Sequence, residues 1–344
     1  MSMRLRRMKP QVFVTRQLPG DALAKLNKYY AVKVWPAWTP PPYETILAEA
    51  RRSVALLTLL TDRIDCDLIS SARSLRIISQ YAVGYDNIDV ECATKHGVYV
   101  TNTPGVLSDA TADLTWALIL AVSRRIVEAD KAVRSGEWYK TGTGWHPMYM
   151  LGMEVTGKTL GIIGLGSIGR EVARRARGFK MRILYYKRRR LPPEEERELG
   201  VEYRILEDLL KESDIVTIHV PLTEETRGLI GEKELRMMKD TAILINTSRG
   251  PVVDEEALIK ALTKGWIAGA GLDVFNQEPL PPDHPLTKLD NVVLAPHIGS
   301  ATWETRTRMA EKAVENLIAF AEGRVPPDLV NPEVVNVRKP GLHV

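Results

Sequence analysis

Thr159-Leu-Gly-Ile-Ile-Gly164-Leu-Gly166-Ser-Ile-Gly169, followed by Arg170 to Arg177, reads as a short apolar strand, a tight turn and a helix. The first glycine of this Gly-x-Gly-x-x-Gly permits the turn. The second lets backbone N–H groups approach a pyrophosphate, and the third lets the helix pack closely on the strand. The positive end of that helix then faces the phosphates. In this strand–turn–helix context the motif predicts a dinucleotide site formed by Gly164, Leu165, Gly166, Ser167, Ile168 and Gly169.

Outward from this loop, apolar runs of strand length alternate with longer segments of helical period over nearly the whole chain, the pattern of a parallel α/β fold. Downstream, strands are expected at Arg182 to Tyr186, Ile215 to His219, Ala242 to Asn246, Ala268 to Leu272 and Val292 to Leu294, which with Thr159 to Gly164 make a six-stranded Rossmann-type sheet. Upstream, strands at Gln11 to Thr15, Val54 to Thr58 and Leu75 to Ser79, with helices at Asp21 to Lys28 and Tyr43 to Arg51 between them, make a smaller doubly wound unit. Thr101-Asn-Thr-Pro-Gly105 breaks the pattern, and Ser108 caps one long helix carrying Ala110, Leu114, Leu118, Val122, Ile126 and Ala129. A last helix, Trp303 to Glu322, is expected to return to the first unit. The expectation is therefore two doubly wound parallel-sheet domains. Residues 104–299 form the cofactor domain, 1–103 with 300–334 a discontinuous, flavodoxin-like substrate domain, and 335–344 a tail, with the cleft between the two sheets.

Composition sets the outer limits. A chain of 344 residues is long enough for about two domains. Its 47 basic and 43 acidic residues are spread along it, which makes nucleic acid a poor partner. No apolar run is long enough to span a bilayer, and the basic start Met1 to Pro10 lacks the apolar core of a signal peptide. Cys66 and Cys92, the only cysteines, stand in no recognised metal spacing and read as two free thiols in a reducing cytoplasm, with no metal site.

About twenty residues past the glycine loop, where a carboxylate would hold the ribose diol of NAD, the strand Ile183 to Tyr186 runs into Lys187-Arg-Arg-Arg190. No acid is present. The cluster predicts recognition of a 2′-phosphate by Lys187, Arg188 and Arg189, hence NADP(H) in preference to NAD(H), with Arg190 directed away.

Three further strand ends carry polar residues that a packed core would not need: Asn246-Thr-Ser-Arg-Gly250, Gly271-Leu-Asp273-Val-Phe-Asn-Gln-Glu278-Pro279, and Pro296-His297-Ile-Gly299-Ser300. Together with the glycine loop they resemble the D-isomer-specific 2-hydroxyacid dehydrogenase family from about Lys9 to Pro332. The resemblance implies NAD(P)H-dependent reduction of a small 2-oxo acid, with Arg249 binding substrate, His297 donating the proton and Glu278 as its carboxylate partner. The residue types suit that chemistry. A ketone taking up hydride needs a cation beside its carboxylate and a proton for the developing alkoxide. A guanidinium clamps two oxygens in fixed directions, and imidazolium is populated near neutral pH. Also implied are Val220, Pro221 and Thr226 on the adenine and ribose side, Asp273 facing the nicotinamide although a turn-stabilising role competes, and Thr247, Ser248, Arg249, His297, Ile298 and Gly299 as further cofactor contacts. Val83 and Gly84, in Tyr81-Ala-Val-Gly-Tyr-Asp-Asn87, are implied to receive the substrate carboxylate on main-chain N–H groups.

That loop, with Thr58 to Arg63 and Pro296 to Ser300, is similar to the glyoxylate/hydroxypyruvate reductases, particularly their archaeal branch. Phosphite dehydrogenases carry a lysine in place of Val83, and phosphoglycerate dehydrogenases with a regulatory domain extend further. D-lactate and D-glycerate dehydrogenases are the alternatives within the family. A nucleotide-sensing corepressor is the alternative outside it. The resemblance also implies a homodimer formed through the helix from Ser108 and the aromatic loop Trp138 to Tyr149, from which Trp145 would reach toward the partner's active site.

Overall fold

The computed structural model describes residues 9 to 342. The reading of Met1 to Met8 as a start without a leader, and the last two residues of the tail, lie outside them. The chain divides into two compact units, one containing the described residues up to Leu107 together with those from Ala301, the other Ser108–Ser300.

In the first unit the strands are β1 (Gln11–Val14), β2 (Ala31–Val34), β3 (Ala55–Thr58), β4 (Ile77–Gln80) and β5 (Tyr99–Thr101), all parallel in the order β2-β1-β3-β4-β5. This is the flavodoxin-like winding. The central strands β3 and β4 are buried throughout, as expected of a sheet covered on both faces, whereas β2 is a half-exposed edge strand. The C-terminal helix Trp303–Ala321 supplies one face of this core. Ser79 donates to the carbonyl of Ala313 at 2.9 Å, Tyr30 to Leu317 at 2.9 Å and Tyr81 to Arg306 at 2.7 Å. The tail continues over the same unit, with Tyr99 donating to the carbonyl of Arg338 at 2.6 Å.

The second unit holds seven parallel strands: β6 (Thr159–Ile163), β7 (Arg182–Tyr186), β8 (Glu202–Tyr203), β9 (Ile215–Ile218), β10 (Ile243–Asn246), β11 (Gly269–Leu272) and β12 (Val292–Leu294), ordered β12-β11-β10-β9-β6-β7-β8. The winding reverses between β6 and β9. Both the glycine loop after β6 and the polar ends of β10, β11 and β12 therefore open at the carboxyl edge, where such sheets bind ligands. Two-residue β8 carries too little pattern to be read from sequence.

Two expectations are corrected. The helix from Ser108 is not continuous: Ser108–Ser123 and Ile126–Arg134 are separate, because Arg125 sits at φ 53° in the left-handed region. A returning segment fixes the break. Met153 donates to the carbonyl of Ser123 at 2.7 Å, and a Cβ on Gly152 would lie 2.3 Å from that oxygen. The two cysteines are not free thiols either. Cys66 and Cys92 form a disulfide across Cα atoms 5.5 Å apart, joining the short helices Cys66–Ser71 and Val90–Lys95. Packing of those helices brings together residues 26 apart, which local spacing does not reveal. Among the described residues no helix is long and apolar enough to cross a membrane.

Candidate active site

The glycine loop is built as its sequence requires. Gly164 has φ +96°, and a Cβ there would lie 2.7 Å from the carbonyl of His219 at the end of β9. A Cβ on Gly169 would lie 2.3 Å from the Gly164 carbonyl oxygen, so the helix Ser167–Ala176 seats directly on the turn. Gly166 has open space around its missing Cβ. Two glycines are thus consumed by packing, and the middle one presents bare backbone at a ten-residue helix start, the cradle a pyrophosphate needs. Ser167 is exposed and Ile168 half-buried, while the Leu165 side chain is fully buried, leaving it only main chain to offer.

Beyond β10, Asn246 shapes the loop that carries Arg249. Its amide nitrogen donates to the Arg249 carbonyl at 2.9 Å, and its oxygen accepts from the backbone and hydroxyl of Ser248 at 3.0 and 2.9 Å. Gly250 has no room for a side chain, since a Cβ would stand 2.1 Å from the carbonyl of Phe275. That contact presses the Arg249 loop against the loop after β11, which bears Glu278. Thr247 is buried and shares a 3.0 Å hydroxyl contact with Thr115 of the helix Ser108–Ser123.

Glu278 and His297 meet here. Nδ1 of His297 lies 2.7 Å from Oε2 of Glu278, whose Oε1 accepts from the backbone of Phe275 at 3.0 Å. Burial pushes the Glu278 carboxyl up, but the His297 contact, the Phe275 N–H and the charge of Arg249 outweigh it and hold the group below the usual carboxylate range. With Nδ1 facing a carboxylate, Nε2 is the ring nitrogen turned away from it, the arrangement of an imidazole held in one tautomer.

His297 occupies φ +54°, uncommon for a residue with a Cβ. Asp273 imposes it. Its carbonyl accepts from the His297 N–H at 2.9 Å, and its two carboxylate oxygens accept from Ile298 and Gly299 at 2.7 and 2.8 Å. Burial pushes this carboxyl above its ordinary value, partly offset by those N–H donors. Asp273 thus stabilises this turn, one of the two roles its sequence context allows. His219, by contrast, has its Nε2 buried without a partner among the described residues, and burial pushes its pKa down to about 3, so it stays neutral and contributes bulk.

The basic run after β7 is divided. Arg190 donates through Nε and an NH2 nitrogen to both oxygens of Glu196, each at 2.8 Å, and lies over the ring of Tyr203. Arg188 makes one exposed contact, 2.8 Å to Glu225, and Arg189 is exposed, while Lys187 is half-buried. In the loop after β9, Thr226 donates to the Pro221 carbonyl at 2.6 Å and accepts from Thr223 N–H at 2.8 Å, holding the segment with Val220 and Pro221 in a tight turn. In the first unit, the Val83 carbonyl accepts from Asn102 at 2.9 Å and that of Gly84 from Gln80 at 3.3 Å. A cavity of about 340 Å³ lined by Arg227, Pro251, Glu255 and Asn276 contains none of the site residues.

Comparison with known proteins points the same way. The model of the D-isomer specific 2-hydroxyacid dehydrogenase, NAD binding domain, matches residues 116–299. A glyoxylate reductase of Aeropyrum pernix is 65% identical over 334 residues, covering 97% of this chain and 99% of that protein. One of Thermococcus litoralis is 60% identical over 333 residues, covering 97% and 100%. Among solved structures, an NADPH-dependent glyoxylate/hydroxypyruvate reductase of Sinorhizobium meliloti, in complex with NADP and malonate, superposes with a TM-score of 0.84 at 31% identity, covering 98% and 100%.

Proposed function

Since the chain belongs to the D-isomer-specific 2-hydroxyacid dehydrogenases, we propose that it reduces glyoxylate to glycolate, and hydroxypyruvate to D-glycerate beside it, with NADPH as the preferred reductant. The observation that carries the reading is the 2.7 Å pairing of His297 with Glu278 in the same unit as Arg249 and a glycine loop shaped for a pyrophosphate. When bound, the nicotinamide supplies the hydride. The residues of the chain do the rest. Arg249 holds the 2-oxo acid by paired N–H donors and stabilises charge on the oxygen of the ketone, a role the charge-assisted geometry of guanidinium suits. His297 delivers the proton that oxygen acquires, through the nitrogen opposite Glu278, and Glu278 compensates the imidazolium before transfer. Val83 and Gly84 are assigned to the substrate carboxylate on family resemblance. Oxidation of NADPH on addition of glyoxylate tests the activity directly, and a chain that binds NADPH yet turns over neither oxo acid would overturn it.

NADPH preference rests on the absence of a carboxylate after β7 and on the exposed Arg188 and Arg189. A cytoplasmic location follows from the need for a reduced nicotinamide pool. A homodimer is supported by the apolar side chains left in solvent on one stretch of the second unit. Val133, Tyr139, Trp145 and Met148 are 58, 89, 85 and 71% exposed, more aromatic surface than a monomer leaves uncovered. Sedimentation showing a monomer at micromolar concentration would remove that proposal.

A further inference from the structure

We propose that the Cys66–Cys92 pair, once reduced, is a binding site for a zinc-class divalent cation, with Asp89 and His96 completing its ligands. Three donors already converge: the sulfurs of Cys66 and Cys92 and a carboxylate oxygen of Asp89 lie within 4.8 Å of one another. The fourth, His96, is the residue that ends the helix of Cys92; it stands outside this 4.8 Å group and swings in to complete the shell. His96 stands four residues on, so its ring falls on the same face, and Nδ1 is 3.6 Å from the Cys92 sulfur. A tetrahedral zinc site with bonds of about 2.3 Å to sulfur and 2.0–2.1 Å to nitrogen sets ligating S and N atoms about 3.6 Å apart. Two thiolates, one imidazole and one carboxylate form a donor set for a borderline-soft, tetrahedral ion rather than for magnesium or calcium.

The local structure supports the assignment. Asp89 caps the helix Val90–Lys95, its Oδ1 accepting from Cys92 N–H at 2.9 Å, so the carboxylate is already oriented toward the cysteine. His96 Nδ1 now rests 2.9 Å from the Cys92 carbonyl oxygen. Cys92 is buried while Cys66 and Asp89 are exposed, which gives reductant and metal an approach from solvent.

The chemistry balances. A dithiol reductant delivers two electrons and two protons to the disulfide, becoming a cyclic disulfide itself and leaving two thiols. Binding the cation then releases both thiol protons to solvent. On ligation the His96 ring carries its proton on Nε2 and gives up its contact with the Cys92 carbonyl, freeing the Nδ1 lone pair. The cross-link between the helices Cys66–Ser71 and Val90–Lys95 is thus a covalent bond when oxidised and a metal bridge when reduced.

The experiment is titration of the full chain with cobalt(II), which reports thiolate ligation by charge-transfer absorption, after dithiothreitol treatment and anaerobic removal of the reductant. The expected result is one cobalt per reduced chain, displaced by zinc, with no uptake by the disulfide form. Cys66→Ser and Cys92→Ser should lose the thiolate band of the paired site. His96→Ala should weaken affinity by at least about tenfold, since even outer-shell partners are worth about 10–100-fold. Glyoxylate reductase activity of each variant verifies folding, because none of these residues belongs to the catalytic site. Zinc should also raise the melting temperature of the reduced parent and leave that of the double serine variant unmoved. Failure of the reduced chain to take up cobalt stoichiometrically, or uptake unchanged in the double serine or His96→Ala variant, overturns the proposal.

Discussion

Replacing Arg188 and Arg189 by alanine should erase the preference for NADPH, and the structure sets how much each replacement removes. A 2′-phosphate carries about −1.5 to −2 charges near neutral pH by analogy with other phosphomonoesters. A hydrogen bond to such a group is worth about 1.5–3 kcal/mol before solvent exposure is considered. The Arg188 side chain is 80% exposed and its partner Glu225 69% exposed, so screening reduces the gain, while giving up this ion pair costs only about 0–1 kcal/mol. A net contribution of about 1–2 kcal/mol per arginine corresponds to roughly 5- to 30-fold in kcat/KM for NADPH. Both together give about 30-fold to several hundred-fold if additive. Arg190 provides the internal control. Committed to Glu196 at 2.8 Å through two donors, it should leave cofactor discrimination unchanged when replaced, while lowering the melting temperature by leaving Glu196 without its cation. The assay is kcat/KM for NADPH and NADH with glyoxylate, in one buffer, for the parent and the three variants. Equal use of both cofactors by the parent, or loss of preference in Arg190→Ala alone, would refute the reasoning.

Glu278→Gln should lower kcat/KM by about 100- to 1000-fold, within the range of acid–base assistance, and more steeply on the alkaline side where imidazolium is scarce; a profile parallel to that of the parent would separate Glu278 from proton delivery. Breaking the Cys66–Cys92 bond, whose cysteines are 26 residues apart, should destabilise the first unit by about 3–4 kcal/mol in the absence of divalent cations, read as a lower melting temperature in reductant with chelator than without either. Asp214 gives a pH dependence. Burial raises its carboxyl, but Lys239 at 2.8 Å and the Thr159 N–H at 2.9 Å more than offset this, so its folded pKa lies below the ordinary 3.8. Its stabilisation is therefore fully present above the unfolded value and lost as pH falls through the lower, folded one. Asp214→Asn should cost about 1–2 kcal/mol at neutral pH and flatten the acid limb of a stability curve, and an unchanged limb would contradict the assignment.

What the sequence determined by itself was whatever rests on neighbours a few residues away. The glycine loop was legible because Gly164, Gly166 and Gly169 act within one strand–turn–helix, where Gly169 packs on the Gly164 carbonyl and Gly166 leaves its backbone bare. Strand and helix periods follow from burial on fixed faces, so the α/β class and most strands of both sheets could be read directly. Arg249, Glu278 and His297 stand in polar loops after β10, β11 and β12, and it was the family resemblance of those loops that singled them out. The tertiary structure decided the rest, because those features depend on which distant segments meet. Arg125 breaks a helix of continuous pattern because Met153, far along the chain, claims the carbonyl of Ser123. His297 takes its left-handed backbone from Asp273, at the end of the neighbouring strand. Cys66 and Cys92 pair although their spacing gives no sign of it, because two short helices after different strands pack side by side. Local periodicity records only which face of an element is buried, and the partner against which it is buried is chosen by the winding of the sheet.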